Sequence, residues 1–355
     1  MRSEKSETLI IYFSSLGPQR VGVNKAMLWA VDDLRALGLT PILRSADLIT
    51  SIVDVGRNLF RRASAIVFVG MGLGFGYGSL VNLAWSAAVY RRVFLSWQED
   101  RWVYDRIMRA CPGRGRIFNE VIKWSGMYHF VISERGKRFC MALGVKEHQI
   151  HVVGSCAPAP EEAVLNFRVF PDDNRLRVMA AATIQARKGT DIFCEAAIKV
   201  CRRLSNVDFF WFGEPLGFEP GFYERCRELV RLSGLEDRIR FCGFVDKPSV
   251  FIAHCDMFVQ TSRDEPLGLS ALEAMAFGKT VIGFDVGGLP ELMGGCYHVL
   301  GQPNADRLAE KIIELASGNR SDLIREDARR RVLDVYNPRE YALRLAQAIR
   351  SVTAK

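Results

Sequence analysis

Two glutamates and a lysine carry the strongest chemical signal in the sequence. The run Thr261-Ser-Arg-Asp-Glu-Pro-Leu-Gly-Leu-Ser-Ala-Leu-Glu-Ala-Met-Ala-Phe-Gly-Lys-Thr-Val-Ile-Gly-Phe-Asp-Val-Gly-Gly-Leu-Pro-Glu291 sets Glu265 just beyond an apolar stretch and Glu273 deeper in a helical pattern. Pro266 is well placed to open that helix, and Gly268 keeps its N-terminus unobstructed. The amides of Leu267, Gly268 and Leu269 then find no carbonyl within the helix, and a diphosphate is the natural guest of such a terminus. On this reading Glu273 lies two turns in, where a carboxylate takes both hydroxyls of a ribose, and Glu265 stands at the rim, within reach of a sugar. A second run, Ile184-Gln-Ala-Arg-Lys-Gly189, offers Lys188 as a fixed cation for charge that grows on a departing group.

The pattern Glu-x7-Glu, leading into Glu-Ala-Met-Ala-x-Gly-Lys and Gly-Gly-Leu-Pro-Glu, strongly resembles the retaining glycosyltransferases of the GT-B fold, family GT4. The resemblance implies that Glu265 contacts the donor sugar, Glu273 binds the nucleotide's ribose, and Gly268 with Leu269 holds the diphosphate. It implies that Lys188 neutralises the leaving diphosphate. The family usually carries a further Arg shortly before this Lys, at positions held here by Ala182 and Thr183, so Thr183 or the adjacent Arg187 is the candidate to compensate. Phe212-Gly213-Glu214-Pro215 is similar to the family's Gly-Asp-Gly-Pro loop, which adds Gly213 to the donor site, and Phe241-Cys-Gly-Phe-Val245 stands where main-chain groups around Val245 read the base.

In the first half of the chain, Val21-Gly22-Val23-Asn24-Lys25 is similar to the family's Gly-Gly-Val-Glu-Arg loop, with Gly22 toward the phosphate and Asn24 toward the acceptor. Many members place a His after the third or fourth strand; the corresponding stretch Leu95-Ser-Trp-Gln-Glu-Asp100 has none, which leaves Ser96, Trp97, Gln98 or Glu99 to line the pocket. The run Gly70-Met-Gly-Leu-Gly-Phe-Gly-Tyr-Gly78 fails the G-x-G-x-x-G spacing of a dinucleotide fingerprint and reads as a loop that brings Phe75 and Tyr77 near an acceptor.

The elements that must position these residues alternate between short β-rich runs and amphipathic stretches, the mark of parallel sheets with crossover helices. A first series has strands at 9–13, 65–69, 93–96, 130–132 and 150–153 and a helix from Asn24 to Leu37. A proline-rich, charged segment after Val153 reads as a linker. A second series has strands at 176–182, 207–212, 239–241, 257–260, 281–284 and 298–300. The expected fold class is α/β, with two Rossmann-like doubly wound domains that face each other across a cleft: residues 1–165 for the acceptor, 172–335 for the nucleotide sugar, and a terminal helix, 336–355, that crosses back to the first domain.

Composition bounds the rest. At 355 residues, 49% hydrophobic and 25% charged, the chain is neither disordered nor a disulfide-stapled miniature. No window is long and apolar enough for a membrane span, and the N-terminal residues lack a cleavage signal, so the expectation is a soluble cytoplasmic protein. Nine cysteines without a C-x-x-C pair read as reduced core thiols. The net charge of +8 falls on the first half: residues 1–170 hold 22 Lys and Arg against 14 Asp and Glu, while residues 171–355 hold 26 against 26. Basic clusters near Trp97, Trp102 and Trp124 suit an anionic membrane surface or an anionic substrate, and no nucleic-acid-binding signature accompanies them. No Asp-x-Asp occurs and the histidines form no ligand cluster, so no metal and no cofactor beyond the sugar nucleotide are expected. The resulting expectation is a retaining transfer of a sugar from a nucleotide diphosphate sugar, UDP-linked, to a hydroxyl of a glycan, lipid-linked or small-molecule acceptor. A non-catalytic nucleotide-sugar-binding subunit and a retaining disaccharide phosphorylase are the alternatives.

Overall fold

A computed structural model of the chain describes residues 7–13, 22–45, 64–69, 92–96, 104–105, 108–109, 112–123, 127–161, 164, 166, 169–215, 219–295, 298–318 and 322–354. Two compact units result, one from Met1–Ala157 with Val335–Lys355 and the other from Pro158–Asp334. The division falls at Ala157, ahead of the sequence boundary at 165, because the segment after Pro158 packs on the second unit: His254 Nε2 lies 3.1 Å from the carbonyl oxygen of Val164.

Unit 1 is a parallel sheet of β1 (Glu7–Phe13), β2 (Leu39–Ser45), β3 (Ala65–Val69), β4 (Val93–Ser96), β5 (Met127–Val131) and β6 (Ile150–Val152), in the order β2-β1-β3-β4-β5-β6. Strand alternation sends Leu9, Ile11 and Phe13 to one face and Ile10 and Tyr12 to the other. The second face is covered by Phe118, Val121 and Ile122 of α3 (Pro112–Ile122) and Cys140 of α4 (Glu134–Ala142). The first face is covered by Met27 of α1 (Gly22–Trp29), Leu34 of α2 (Val31–Ala36), and Tyr341, Leu345 and Ile349 of the C-terminal helix Pro338–Thr353. That helix starts on Asn337, whose side chain accepts from the amide of Glu340 at 2.9 Å, and Arg350 Nη2 donates to the carbonyl of Leu37 at 2.6 Å.

Two features differ from the sequence expectation. The segment Leu39–Ser45 is a strand although Pro41 lies within it; β2 ends the row, so one side needs no ladder donors. The helix expected over Asn24–Leu37 is two segments joined at Ala30, whose amide still bonds to Ala26 at 3.2 Å, so the buried stripe Ala26, Met27, Ala30, Leu34 is continuous across the join.

Unit 2 holds β7 (Leu176–Ala181), β8 (Val207–Phe212), β9 (Ile239–Phe241), β10 (Met257–Gln260), β11 (Thr280–Phe284) and β12 (His298–Leu300), parallel throughout. Their order is β9-β8-β7-β10-β11-β12. Val178, Phe209, Trp211, Val259 and Ile282 bury one face against Phe193 and Ala197 of α5 (Thr190–Arg203), Cys226 of α6 (Phe222–Ser233) and Ile312 of a helix at Ala305–Ala316. Near-continuous apolar strands are what a sheet covered on both faces requires.

Candidate functional site

In unit 2 the chain runs outward from β7 to β9 and then returns to the other side of β7 as β10. The strand order thus reverses between β7 and β10, and in open parallel sheets ligands bind beyond the carboxyl ends of the two strands at such a point. Both charged runs read from the sequence end there.

Lys188 closes a tight turn, Ala186–Lys188, that runs into α5 through Gly189. Gly189 has φ +69°, and a Cβ at that position would lie 2.0 Å from the carbonyl oxygen of Thr261, so only glycine lets the β7 loop touch the β10 loop. The two loops are stitched together at that contact. Thr261 Oγ1 donates to the Lys188 carbonyl at 2.8 Å, the Arg263 amide to the Arg187 carbonyl at 2.7 Å, and Arg187 Nη1 to the Asp264 carbonyl at 3.2 Å. Arg263 completes the seam with two 2.7 Å bonds to Asp191 in the first turn of α5.

The seam brings Lys188 and Glu265 together: Nζ donates to Oε2 at 2.6 Å, with 16% and 6% of the two side chains exposed. The same Oε2 accepts from Gln260 Nε2 and from Ser262 Oγ, each at 2.8 Å. Burial alone would raise the Glu265 carboxyl, but the charges of Lys188 and Arg187 and the bonds from Lys188 and Ser262 outweigh it and hold the group below its ordinary range. Glu265 is thus an ionised, buried carboxylate and does not stand at an open rim as its sequence position suggests.

The helix beyond it also differs from expectation. It is α7 (Leu269–Ala276), and it starts after Gly268, which caps it at φ +97°; Leu267 and Pro266 lie outside it. The peptide after Pro266 is drawn aside because the Gly288 amide donates to the carbonyls of both Glu265 and Pro266, at 3.0 and 3.1 Å. The first-turn amides without intrahelical partners are then those of Leu269, Ser270 and Ala271. Leu267 is buried, and half-buried Glu273 lies little more than one turn into the helix, not two.

Of the remaining donor candidates, Thr183 accepts from Gln185, and Arg187 is buried, with Nη1 bonded to the Asp264 carbonyl in the loop seam. Gly213 follows β8, and its amide donates to the Gly243 carbonyl at 2.8 Å, which ties the loop of half-buried Val245 to the β8 loop. In unit 1, Gly22 opens α1 and Asn24 lies in its first turn, while Trp97, Gln98, Phe75 and Tyr77 lie outside the described residues. Among the described residues no group of three or more His, Cys, Asp or Glu could hold a metal ion. Seven cysteines are described, all free; Cys242 is exposed and the other six are buried.

Sequence reasoning passed over Gln260, Ser262, Arg263 and Asp191. One local signal was available: Gln260 is an amide at the end of the otherwise apolar strand Met257–Gln260, and a buried amide requires a polar partner.

The profile of the family Glycosyl transferases group 1 matches residues 175–318. The lipopolysaccharide core biosynthesis mannosyltransferase LpsB of Rhizobium meliloti (strain 1021) is 34% identical over 112 residues, 32% of this chain and 32% of the relative. The 2-deoxystreptamine N-acetyl-D-glucosaminyltransferase of Streptomyces fradiae is 45% identical over 86 residues, 23% of this chain and 20% of the relative. The matched segments thus span about a third or less of these curated relatives. Over whole chains the fold is similar to Anabaena Alr3699/HepE in complex with UDP and glucose, with a TM-score of 0.76, 16% identity, and coverage of 96% of this chain and 99% of the other. Sucrose-phosphate synthase from Thermosynechococcus elongatus gives a TM-score of 0.75 at 17% identity, with 98% and 100% covered. The chain accordingly has the GT-B fold of these structures, and its residues 175–318 match the family model of the group 1 glycosyl transferases.

Proposed function

We propose that the protein is a retaining glycosyltransferase that moves a sugar from a UDP-linked donor to a hydroxyl of a glycan, lipid-linked or small-molecule acceptor in glycoconjugate synthesis. The observation that carries this reading is the Lys188–Glu265 pair beyond the carboxyl ends of β7 and β10, beside the N-terminus of α7. A diphosphate laid against the first-turn amides of α7 gains their dipole and the ammonium of Lys188. The base end then lies toward Gly213 and Val245. Loops β9 and β10 are three strand spacings apart, about 14 Å, the scale of an extended nucleoside diphosphate. Glu273 serves the ribose and Glu265 the sugar.

In the reaction the bond from the anomeric carbon to the diphosphate oxygen breaks, the acceptor oxygen bonds that carbon on the same face, and the acceptor proton passes to the departing phosphate. No side-chain base is needed. Lys188 stabilises the charge that accumulates on the leaving group, the role that metal ions fill elsewhere, and the proposal therefore includes no metal. The names of the relatives support the sugar-transfer class, and HepE, solved with UDP and with UDP-glucose, supports the uridine nucleotide.

The test is thermal stabilisation by UDP, GDP and ADP. One nucleoside diphosphate at a hundred times its Kd should add about 2.7 kcal/mol, and Lys188→Ala and Glu273→Ala should each abolish the gain. A flat response in the wild type would end the donor-site reading.

A cytoplasmic site of action with a peripheral membrane contact through unit 1 belongs to the same proposal. No helix among the described residues is long and apolar enough to cross a membrane. Arg116 and Ile117 of α3 and Arg135, Arg138 and Met141 of α4 are exposed on unit 1. Cosedimentation with vesicles rich in phosphatidylserine should fall steeply between 50 and 500 mM salt, roughly as the Debye length shortens; equal recovery with neutral vesicles would remove this contact.

A further inference from the structure

We infer that Gln260 and Ser262 are positioning residues that hold Glu265 by Oε2 alone and thereby reserve Oε1 for a hydroxyl of the donor sugar. The inference rests on the reading of Glu265 as the sugar contact. A carboxylate offers two oxygens, each able to accept about two hydrogen bonds, and here all three side-chain donors converge on one of them: Lys188 Nζ at 2.6 Å, Gln260 Nε2 at 2.8 Å and Ser262 Oγ at 2.8 Å. Oε1 receives none of the three and is not among the buried atoms that lack a partner, so the 6% of the side chain that remains open includes it.

Polarity in the cluster is fixed by elimination. An ionised carboxylate only accepts, so the amide must turn its NH2 group toward it, and Gln260 Nε2 also donates to Ser262 Oγ at 2.9 Å. With its lone pair engaged by the amide, the Ser262 hydroxyl directs its single proton to Glu265. The three groups form a closed triangle, and Gln260 and Ser262 are themselves 5% and 0% exposed. Each donor spent here is a donor withheld from water, a cost that only a fixed acceptor offsets.

The triangle matters most when Lys188 is drawn toward a diphosphate. An ammonium that turns to a phosphate withdraws its bond from Oε2, whereas Gln260, at the end of β10, and Ser262, two residues on, are anchored by backbone. These two neutral donors keep the carboxylate aimed while the cation serves the leaving group. The arrangement separates the two tasks: Lys188 reports on the diphosphate, the Gln260–Ser262 pair on the sugar.

The experiment is calorimetric titration of the full chain with UDP, GDP and ADP and with the corresponding hexose conjugates, for wild type, Gln260→Leu, Ser262→Ala and Ser262→Thr. For the conjugate that wild type binds best, the expected result in Gln260→Leu is a nucleoside-diphosphate affinity within about twofold of wild type and a conjugate affinity lower by about tenfold, equivalent to one hydrogen-bonded contact misplaced. Ser262→Ala should move the same way, and Ser262→Thr, which keeps the hydroxyl, should stay near wild type. The pH below which the conjugate loses its advantage should rise in Gln260→Leu, because the carboxylate has lost a donor to its ionised form. A conjugate-to-diphosphate affinity ratio that stays constant in Gln260→Leu overturns the inference while leaving the donor site intact. Equal losses for both ligands also overturn it, since they would mark a merely structural role. Failure of the wild type to bind any of the nucleotides removes the donor-site reading and this inference with it.

Discussion

Lys188→Ala should destabilise unit 2 by about 3 kcal/mol, the lower end of the cost of removing one partner of a buried ion pair while its counter-charge stays behind. The lower end applies because Gln260 and Ser262 still bond Glu265 Oε2 in the variant. Adding Glu265→Gln to Lys188→Ala removes the stranded charge and should recover most of the loss, so a double-mutant cycle by urea unfolding isolates the pair. The pH dependence has a definite sign. Glu265 is held below its ordinary carboxyl range in the folded chain, so its stabilising contribution is complete above the unfolded carboxyl range and disappears as pH falls through its lower folded value. Without Lys188 the carboxyl loses its largest opposing charge and titrates higher than in the wild type, so the deficit of Lys188→Ala should be greatest above the ordinary carboxyl range and should narrow as pH falls through it. A deficit that is flat across that window, or a double variant no more stable than Lys188→Ala, would mean that the pair does not govern the site.

Gly287→Ala should be the most damaging single-methyl change in the β10 and β11 loops. Gly287 has φ +55°, and a Cβ there would lie 1.5 Å from the carbonyl oxygen of Glu265 and 2.4 Å from its carbonyl carbon. Both atoms are backbone, so no side chain can swing aside. Overpacking of this kind costs about 1–3 kcal/mol and left-handed backbone in alanine about 1–2 kcal/mol more, and together they move the peptide that carries Glu265. The expected result is a Tm lower by roughly 10 °C together with loss of nucleotide-induced stabilisation. Gly295→Ala is the matched control, with φ +79° and nothing within 4 Å of the added Cβ. It should lose only about 1 kcal/mol of backbone strain and keep the nucleotide response. Normal nucleotide binding by Gly287→Ala would show that the position of the Glu265 peptide is immaterial.

The loops of this site and the strands that carry them are legible in the sequence. The Glu265-x7-Glu273 spacing and the Arg187-Lys188-Gly189 turn identify the loops, and the short apolar runs at 176–181, 207–212 and 257–260 identify the strands that carry them. Strand β2 is not legible in the sequence because Pro41 breaks a ladder that, at a sheet edge, needs no donor on one side. The start of α7 is not legible either, because Pro266 has the residue type of a first helical position and only the Gly288 amide, from a loop beyond β11, pulls that peptide out of the helix.

The sequence by itself determined the class of the fold, the order of its strands along the chain and the identity of the charged residues, since these depend on alternation, turn chemistry and motif spacing within short windows. Tertiary structure alone decided that Lys188 and Glu265, 77 residues apart, share one buried hydrogen bond, that Gln260 and Ser262 complete it, and that Arg187 bonds across the loop seam. The physical reason is the order of the strands. Return of the chain past β7 to form β10 places two distant loops side by side, and no local pattern of residues encodes which loops a sheet will make neighbours.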